Sequence, residues 1–197
     1  MSTESSSRST VPFKRKIRRA YAFLLALPFR LMLKMKPRDF RQISELLSLI
    51  PLSTGKKIRY EFYRKTLKGC GENVTVHFGT VLVYRDITLG NNVSLGTYNT
   101  VGLVDMGNNI LTANHCTFLS GRHTHQFDSL DVPISKQSHR RRRISIGDDV
   151  WVGSHCVVME SIGDGCVLGA GSVVTKPVES YSVVAGNPAR VIKKRGV

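Results

Sequence analysis

A chain of 197 residues, 41% of them hydrophobic, has enough apolar material for one packed core, which excludes a wholly disordered protein. No apolar run reaches the roughly 20 residues needed to cross a bilayer, and the nearest candidate, Ala20 to Met35, is interrupted by Pro28, Arg30 and Lys34. The formal charge of +15 suggests a polyanionic partner, but residues 1–70 hold 17 basic and 4 acidic side chains (+13), whereas residues 71–197 hold 12 and 10 (+2).

Residues 1–10 are rich in Ser and Thr, lack the apolar centre of a signal peptide and read as a disordered tail. Residues 11–69 read as a basic helical region. Between Val11 and Arg41, Phe13, Ile17, Tyr21, Leu24 and Leu25 alternate with Lys14, Arg15, Lys16, Arg18 and Arg19. Pro28 and Pro37 are expected to break this helix into pieces. Two further helices are predicted: Phe40 to Leu49, with Ile43, Leu46 and Leu47 on one face, and Ile58 to Leu67, before Gly69. Cations opposite Phe, Leu and Tyr suit the interface of an anionic membrane. The same helices suit a cap over an open sheet end. No recognition helix, zinc-finger spacing or aromatic–basic sheet motif accompanies the charge, so no nucleic acid partner is expected.

From position 89 an aliphatic–glycine pair recurs every six residues: Leu89-Gly90, Leu95-Gly96, Val101-Gly102. The period returns at Ile146-Gly147, Val152-Gly153 and Val158, then after a four-residue step at Ile162-Gly163, Leu168-Gly169 and Val174. A weaker early copy runs through Val76 and Leu82. Neither a helix nor an alternating strand has this period. A parallel β-helix does, with one inward aliphatic per face and Asn, Asp or Gly at the corners, as at Asn91-Asn92, Asn108-Asn109, Asp148-Asp149 and Asp164-Gly165. The expected fold is therefore mainly β: a parallel β-helix over residues 70–197, ending in a short C-terminal tail, behind the helical N-terminal region. Cys156 and Cys166, each four residues past an aliphatic anchor, fit buried thiols; no metal is expected.

The repeat breaks over residues 119–143, where a solenoid would project a loop. This loop holds His123, His125, Gln126, Phe127, Asp128, Pro133-Ile134, and His139 followed by Arg140 to Arg143. Histidine is the side chain whose ordinary pKa of about 6.5 suits proton removal near neutrality. The arginines could attract an anionic carrier or simply be solvated.

Three stretches carry a family resemblance: Ile144-Ser-Ile-Gly-Asp-Asp-Val-Trp-Val-Gly-Ser154, Gly169-Ala-Gly-Ser-Val-Val-Thr-Lys176 and Ala185-Gly-Asn-Pro-Ala-Arg-Val-Ile-Lys193. Over about residues 70–192 the chain resembles the hexapeptide-repeat acetyltransferases. These have a left-handed parallel β-helix and include the maltose and galactoside group and the O-acetyltransferases of bacterial surface polysaccharides. The resemblance implies a homotrimer with acetyl-CoA in a groove between neighbours, a saccharide acceptor (lipid-linked in some relatives), and a loop histidine as base.

Two alignments of that histidine compete. Ser120-Gly-Arg-His123 matches from the left, and His125-Gln-Phe-Asp128 with Pro133-Ile134 matches from the right. The second uses more residues and favours His125. For acetyl-CoA the resemblance points to Ser154, Ala170, Thr175, Lys176, Arg190 and Lys193, the last at a position that is often Arg; the chain is about two residues shorter than the common pattern near Met159 to Ser161. For the acceptor it points to Tyr98, Asn99 and Asp105. The alternatives are a γ-class carbonic anhydrase, with zinc on His115, His123 and His125, and a non-catalytic β-helix that binds a polyanion or a membrane. The expectation is a cytoplasmic enzyme, peripheral at the inner face of the membrane through residues 11–41.

Overall fold

The computed structural model describes residues 13–121 and 125–196, with side chains from Ala20 onward. Three helices come first: α1 (Phe13–Met35), α2 (Phe40–Ser48) and α3 (Leu52–Thr66). Helix α1 runs through Pro28, contrary to the expected break. Ala22 and Ala26 before the proline and Leu33 after it are all buried, so packing holds the helix together on both sides. Pro28 and Leu24 are exposed, which leaves the carbonyl that loses its N–H partner open to water. The chain does leave the helix before Pro37, where Lys36 turns to φ −130° and ψ 74°.

Helix α2 buries Phe40, Ile43, Ser44, Leu47 and Ser48 at three- and four-residue spacing; Leu46, expected on that face, is 52% exposed. Helix α3 starts six residues earlier than the apolar pattern suggested. Its first turn contains Gly55, where a Cβ would lie 2.0 Å from the Ile50 carbonyl oxygen.

From Gly69 onward the chain follows a regular triangular path of stacked coils. The first face stacks β1 (Gly69–Cys70), β4 (Thr88–Leu89), β7 (Val104–Met106) and β10 (Ile144–Ile146). Bridges Ile146–Ile162 and Ile162–Val178 continue it. The second face stacks β2 (Thr75–Val76), β5 (Ser94–Leu95), β8 (Leu111–Thr112), β11 (Trp151–Val152), β13 (Val167–Leu168) and β15 (Ser182–Ala185). The third stacks β3 (Val81–Leu82), β6 (Thr100–Val101), β9 (Thr117–Phe118), β12 (Val157–Val158) and β14 (Val173–Val174). All these pairings are parallel. The architecture is the parallel β-helix of the left-handed hexapeptide type.

Parallel stacking places equivalent residues of successive coils on one another, so the core consists of columns. Leu82, Val101, Phe118, Val158 and Val174 form one, each at most 1% exposed. Burial at about 0.8 kcal/mol per methylene makes these columns the main stabilising term. Corners reverse direction through left-handed residues, among them Asn73, Asn92 and Asn109 at φ 57°. Their side chains form a ladder: Asn73 Nδ2 donates to Asn92 Oδ1 (3.0 Å) and Asn92 Nδ2 to Asn109 Oδ1 (2.9 Å).

Both ends of the solenoid are covered. At the start, Gly79 N–H donates to the Ser48 carbonyl (2.9 Å) and Leu82 N–H to Ser44 Oγ (2.9 Å). Arg59, fully buried, donates to the carbonyls of Val76 (2.9 Å), Leu47 (2.8 Å) and Ile50 (2.9 Å). One guanidinium thus joins the C-terminal end of α2, where the helix dipole favours a cation, to the first coil. At the other end the C-terminal tail is a strand, β16 (Arg190–Lys194), antiparallel to β15. Both devices shield strand edges that would otherwise pair with another chain.

Candidate active site

The loop leaves the coil at the corner between the third and first faces. Its root is closed by Arg142 N–H donating to the Ser120 carbonyl (2.8 Å), beside Gly121 at φ 84°. Further out, Gln126 N–H donates to the Ser138 carbonyl (3.0 Å), and Gln137 Nε2 to the carbonyls of Ser129 (2.8 Å) and Val132 (2.7 Å). Residues 126–138 are therefore held together by the loop's own polar groups. His125 lies exposed on it, edge-on to His139 with ring centroids 5.1 Å apart. His123 lies outside the described residues.

The arginine run is not a solvated tail. On the returning limb, just before β10, successive arginines find different partners. Arg141 lies over the Tyr84 ring (5.4 Å), and Arg143 pairs with Asp86 and with Asp105 (Nη1–Oδ1 2.8 Å). Arg142, between them, pairs with Glu160, whose side chain is only 8% exposed. These anchors were not read from the sequence, because their partners Tyr84, Asp86, Asp105 and Glu160 lie on other coils. Between the outgoing and returning limbs of the loop lies a groove of about 740 Å³ lined by His125, Gln126, Phe127, Asp128 and Arg140 to Arg143.

The other expected site residues divide between corners. Thr175 and Lys176 follow β14 and so share the loop's corner. Ser154 and Ala170 lie at the corner between the second and third faces, stacked on successive coils, with Gly171 N–H donating to the Ser154 carbonyl (2.8 Å). Ala170 is exposed. The last turn of this corner runs through Gly186 to Arg190, and Lys193 pairs with Val183 on the second face. Arg190 and Lys193 are exposed.

Tyr98 belongs to the Ser154 corner and starts an exposed ladder of rings. Tyr98 stacks on His115 (5.2 Å) and His115 on His155 (5.0 Å). Asn99, expected among the acceptor contacts, turns inward instead. It is 1% exposed, donating to Thr112 Oγ1 (2.7 Å) and the Ala113 carbonyl (3.1 Å) and accepting from Cys116 N–H (2.7 Å). Its amide is used up inside the coil, because the corner that sends Tyr98 out at φ 56° sends the next residue in. Asp105, in turn, is bound to Arg143 and accepts from Thr88 Oγ1.

The zinc candidates are separated: His115 is in the ring ladder and His125 in the loop at another corner. Among the described residues no group of three or more His, Cys, Asp or Glu is arranged to hold a metal ion. Cys116, Cys156 and Cys166 are buried and donate to the carbonyls of Gly153 (3.1 Å), Gly169 (3.2 Å) and Glu179 (3.1 Å). The hydrogen bond shared with Cys156, and then burial, hold the Cys116 thiol well above its ordinary pKa, which makes it a packing group and a poor nucleophile.

A triangular parallel β-helix with a polar loop at one corner and a small-residue strip at another defines a class, and comparison with known proteins agrees on which. A family model described as the hexapeptide repeat of succinyl-transferase matches residues 143–176. A probable acetyltransferase of Mycobacterium tuberculosis is 30% identical over 129 residues, 64% of this chain and 41% of the relative. A chloramphenicol acetyltransferase of Klebsiella aerogenes is 58% identical over 52 residues, 25% of each chain. The chain thus spans about two-fifths or less of the length of these relatives.

Among solved structures, a galactoside acetyltransferase in complex with coenzyme A aligns with a TM-score of 0.64 at 25% identity, covering 94% of this chain and 92% of that one. A maltose O-acetyltransferase from Clostridium difficile 630 shares the fold with a TM-score of 0.65 at 24% identity, covering 83% and 88%. Repeat, coil and likenesses agree: the chain carries a hexapeptide-repeat β-helix and is similar to acetyltransferases that share it.

Proposed function

We propose that this protein transfers the acetyl group of acetyl-CoA to a hydroxyl of a saccharide, in the cytoplasm, as a homotrimer with sites between neighbouring copies. The observation that carries this reading is the division of the site residues. Ser154, Ala170 and Arg190 form a strip along one corner, while His125, Thr175 and Lys176 belong to another. A face of about six residues separates the two by roughly 20 Å, so a groove between two copies is the arrangement that brings them together. The outward pair Leu111 and Trp151, each about half exposed and adjacent on successive coils, offers apolar surface for such a contact.

The residues present fit the co-substrate. Ala170 is small and exposed above Ser154, leaving room along the corner, and exposed Arg190 and Lys193 offer cations where the strip ends. The galactoside acetyltransferase neighbour is itself a coenzyme A complex. Acetyl-CoA supplies an acetyl group activated as a thioester. His125 withdraws the acceptor's hydroxyl proton as that oxygen bonds to the acetyl carbon, and returns the proton to the departing sulfur. A backbone N–H near the carbonyl stabilises the charge that develops on oxygen.

The test is His125→Ala with an acetyl-transfer assay over candidate sugars and a separate measurement of acetyl-CoA affinity. Transfer should fall by about 100-fold or more, with affinity nearly intact. Survival of transfer there, with loss in His123→Ala, would move the base to His123. Absence of saturable acetyl-CoA binding would sink the enzyme reading altogether.

A further inference from the structure

Helix α1 has two apolar faces, and the fold uses one. Ala22, Ala26 and Leu33 are buried, and α1 packs on α3. Outside that buried row, Tyr21, Leu24, Leu27, Leu31, Met32 and Met35 are 38–79% exposed. At about 100° per residue, residues 21, 24, 31 and 35 fall on one stripe along the outside of the helix. Six large apolar side chains on one exposed helix face are more than a soluble surface ordinarily leaves open.

The charge around the stripe indicates its partner. Phe13–Met35 contains no Asp or Glu. At the Met35 end, Lys34, Lys36 and Arg38 are exposed. At the other end Tyr21 borders a recess of about 330 Å³ that Ser53, Thr54 and Lys57 also line, which places an ammonium and two hydroxyls beside the stripe. Cations thus flank the apolar strip at both ends. Two copies facing each other through this stripe would set cations against cations, with no carboxylate on α1 to offset them. No described helix is long and apolar enough to cross a membrane, so the helix suits the plane of an interface.

We propose that α1 docks the protein on an anionic lipid surface. Tyr21, Leu24, Leu31 and Met35 enter the boundary between headgroups and acyl chains, while Lys34, Lys36, Arg38 and Lys57 meet the lipid phosphates. A helix of 23 residues lying flat covers about 35 Å of membrane. Docking is independent of acetyl transfer, and each can fail without the other.

The experiment is co-sedimentation of the full chain with vesicles of phosphatidylcholine alone and with phosphatidylglycerol added. Binding to the anionic vesicles only is expected, weakening with salt. It should fall about tenfold or more in Leu24→Asp/Leu31→Asp and in Lys34→Glu/Lys36→Glu. All four side chains are at the surface, so the melting temperature and the far-ultraviolet circular dichroism should stay at wild-type values. No binding to anionic vesicles, or equal binding to neutral ones, would overturn the proposal. So would a Leu24→Asp/Leu31→Asp protein that binds vesicles normally but sheds a subunit in light scattering, because a second copy would then be what covers the stripe.

Discussion

The loop's hold on the coil is tested most directly at Arg142 and Glu160. Glu160 is a nearly buried carboxylate and Arg142 is 54% exposed, so the two partners differ in what each loses. Arg142→Met leaves the carboxylate with little water and no cation. A buried polar group stripped of its partner costs about 1–3 kcal/mol, and the half-exposed side of this pair argues for the lower half of that range. Glu160→Gln keeps an oxygen that accepts from the guanidinium and removes the buried charge, so it should cost about 0.5–1 kcal/mol. The double variant leaves no unpaired charge and should recover about 1 kcal/mol relative to the sum of the singles.

Urea unfolding at constant slope reads the stabilities, and turnover reads the loop. Because Arg142 also lines the groove that holds His125, Arg142→Met should lower transfer more than it lowers acetyl-CoA affinity. A stability unchanged by Arg142→Met, Glu160→Gln as harmful as Arg142→Met, or simple additivity in the double variant would refute the reasoning.

Two further outcomes follow from buried groups. Burial pushes the Tyr63 hydroxyl up to about 12, against an ordinary value of about 10. The folded value lies above the unfolded one, so this contribution is fully present below pH ~10 and is lost as pH rises through about 12, at up to roughly 1.4 kcal/mol per pH unit. Tyr63→Phe should flatten that part of the alkaline stability curve, and identical slopes in the two proteins would contradict it. Asn99→Leu leaves the buried Cys116 N–H and Thr112 hydroxyl without their amide partner and should cost about 1–3 kcal/mol in thermal or urea unfolding, while the KM for acceptor in the folded enzyme stays put. A changed acceptor KM at unchanged stability would return Asn99 to the substrate side.

The β-helix could be read from the chain because its order is one-dimensional. Parallel coils stack each residue on its equivalent, so Leu89, Leu95 and Val101 repeat in sequence what they do in space. The coil from β7 to β9 escaped that reading. Met106, Thr112 and Phe118 take the inward places there, and the loop stretches the next step to 40 residues where neighbouring steps are 16 or 17. Thr112 is tolerated inside because Asn99 meets it, a pairing between coils that no local pattern announces.

The same limit explains the rest. Charge and amphipathicity marked the N-terminal helices, but whether Pro28 breaks α1 depends on what Ala22, Ala26 and Leu33 pack against. The arginine run was visible as charge; only its place beside Tyr84, Asp86, Asp105 and Glu160 decides that three of the four are anchors. Sequence determined by itself the repeat, the loop and the residue types that suit acetyl transfer, since these depend on local spacing and chemistry. Tertiary structure decided which corner each residue occupies and which of two neighbours, Tyr98 or Asn99, faces out. Those choices depend on how many residues each coil spends between corners, a sum over the whole turn that no short stretch of chain contains.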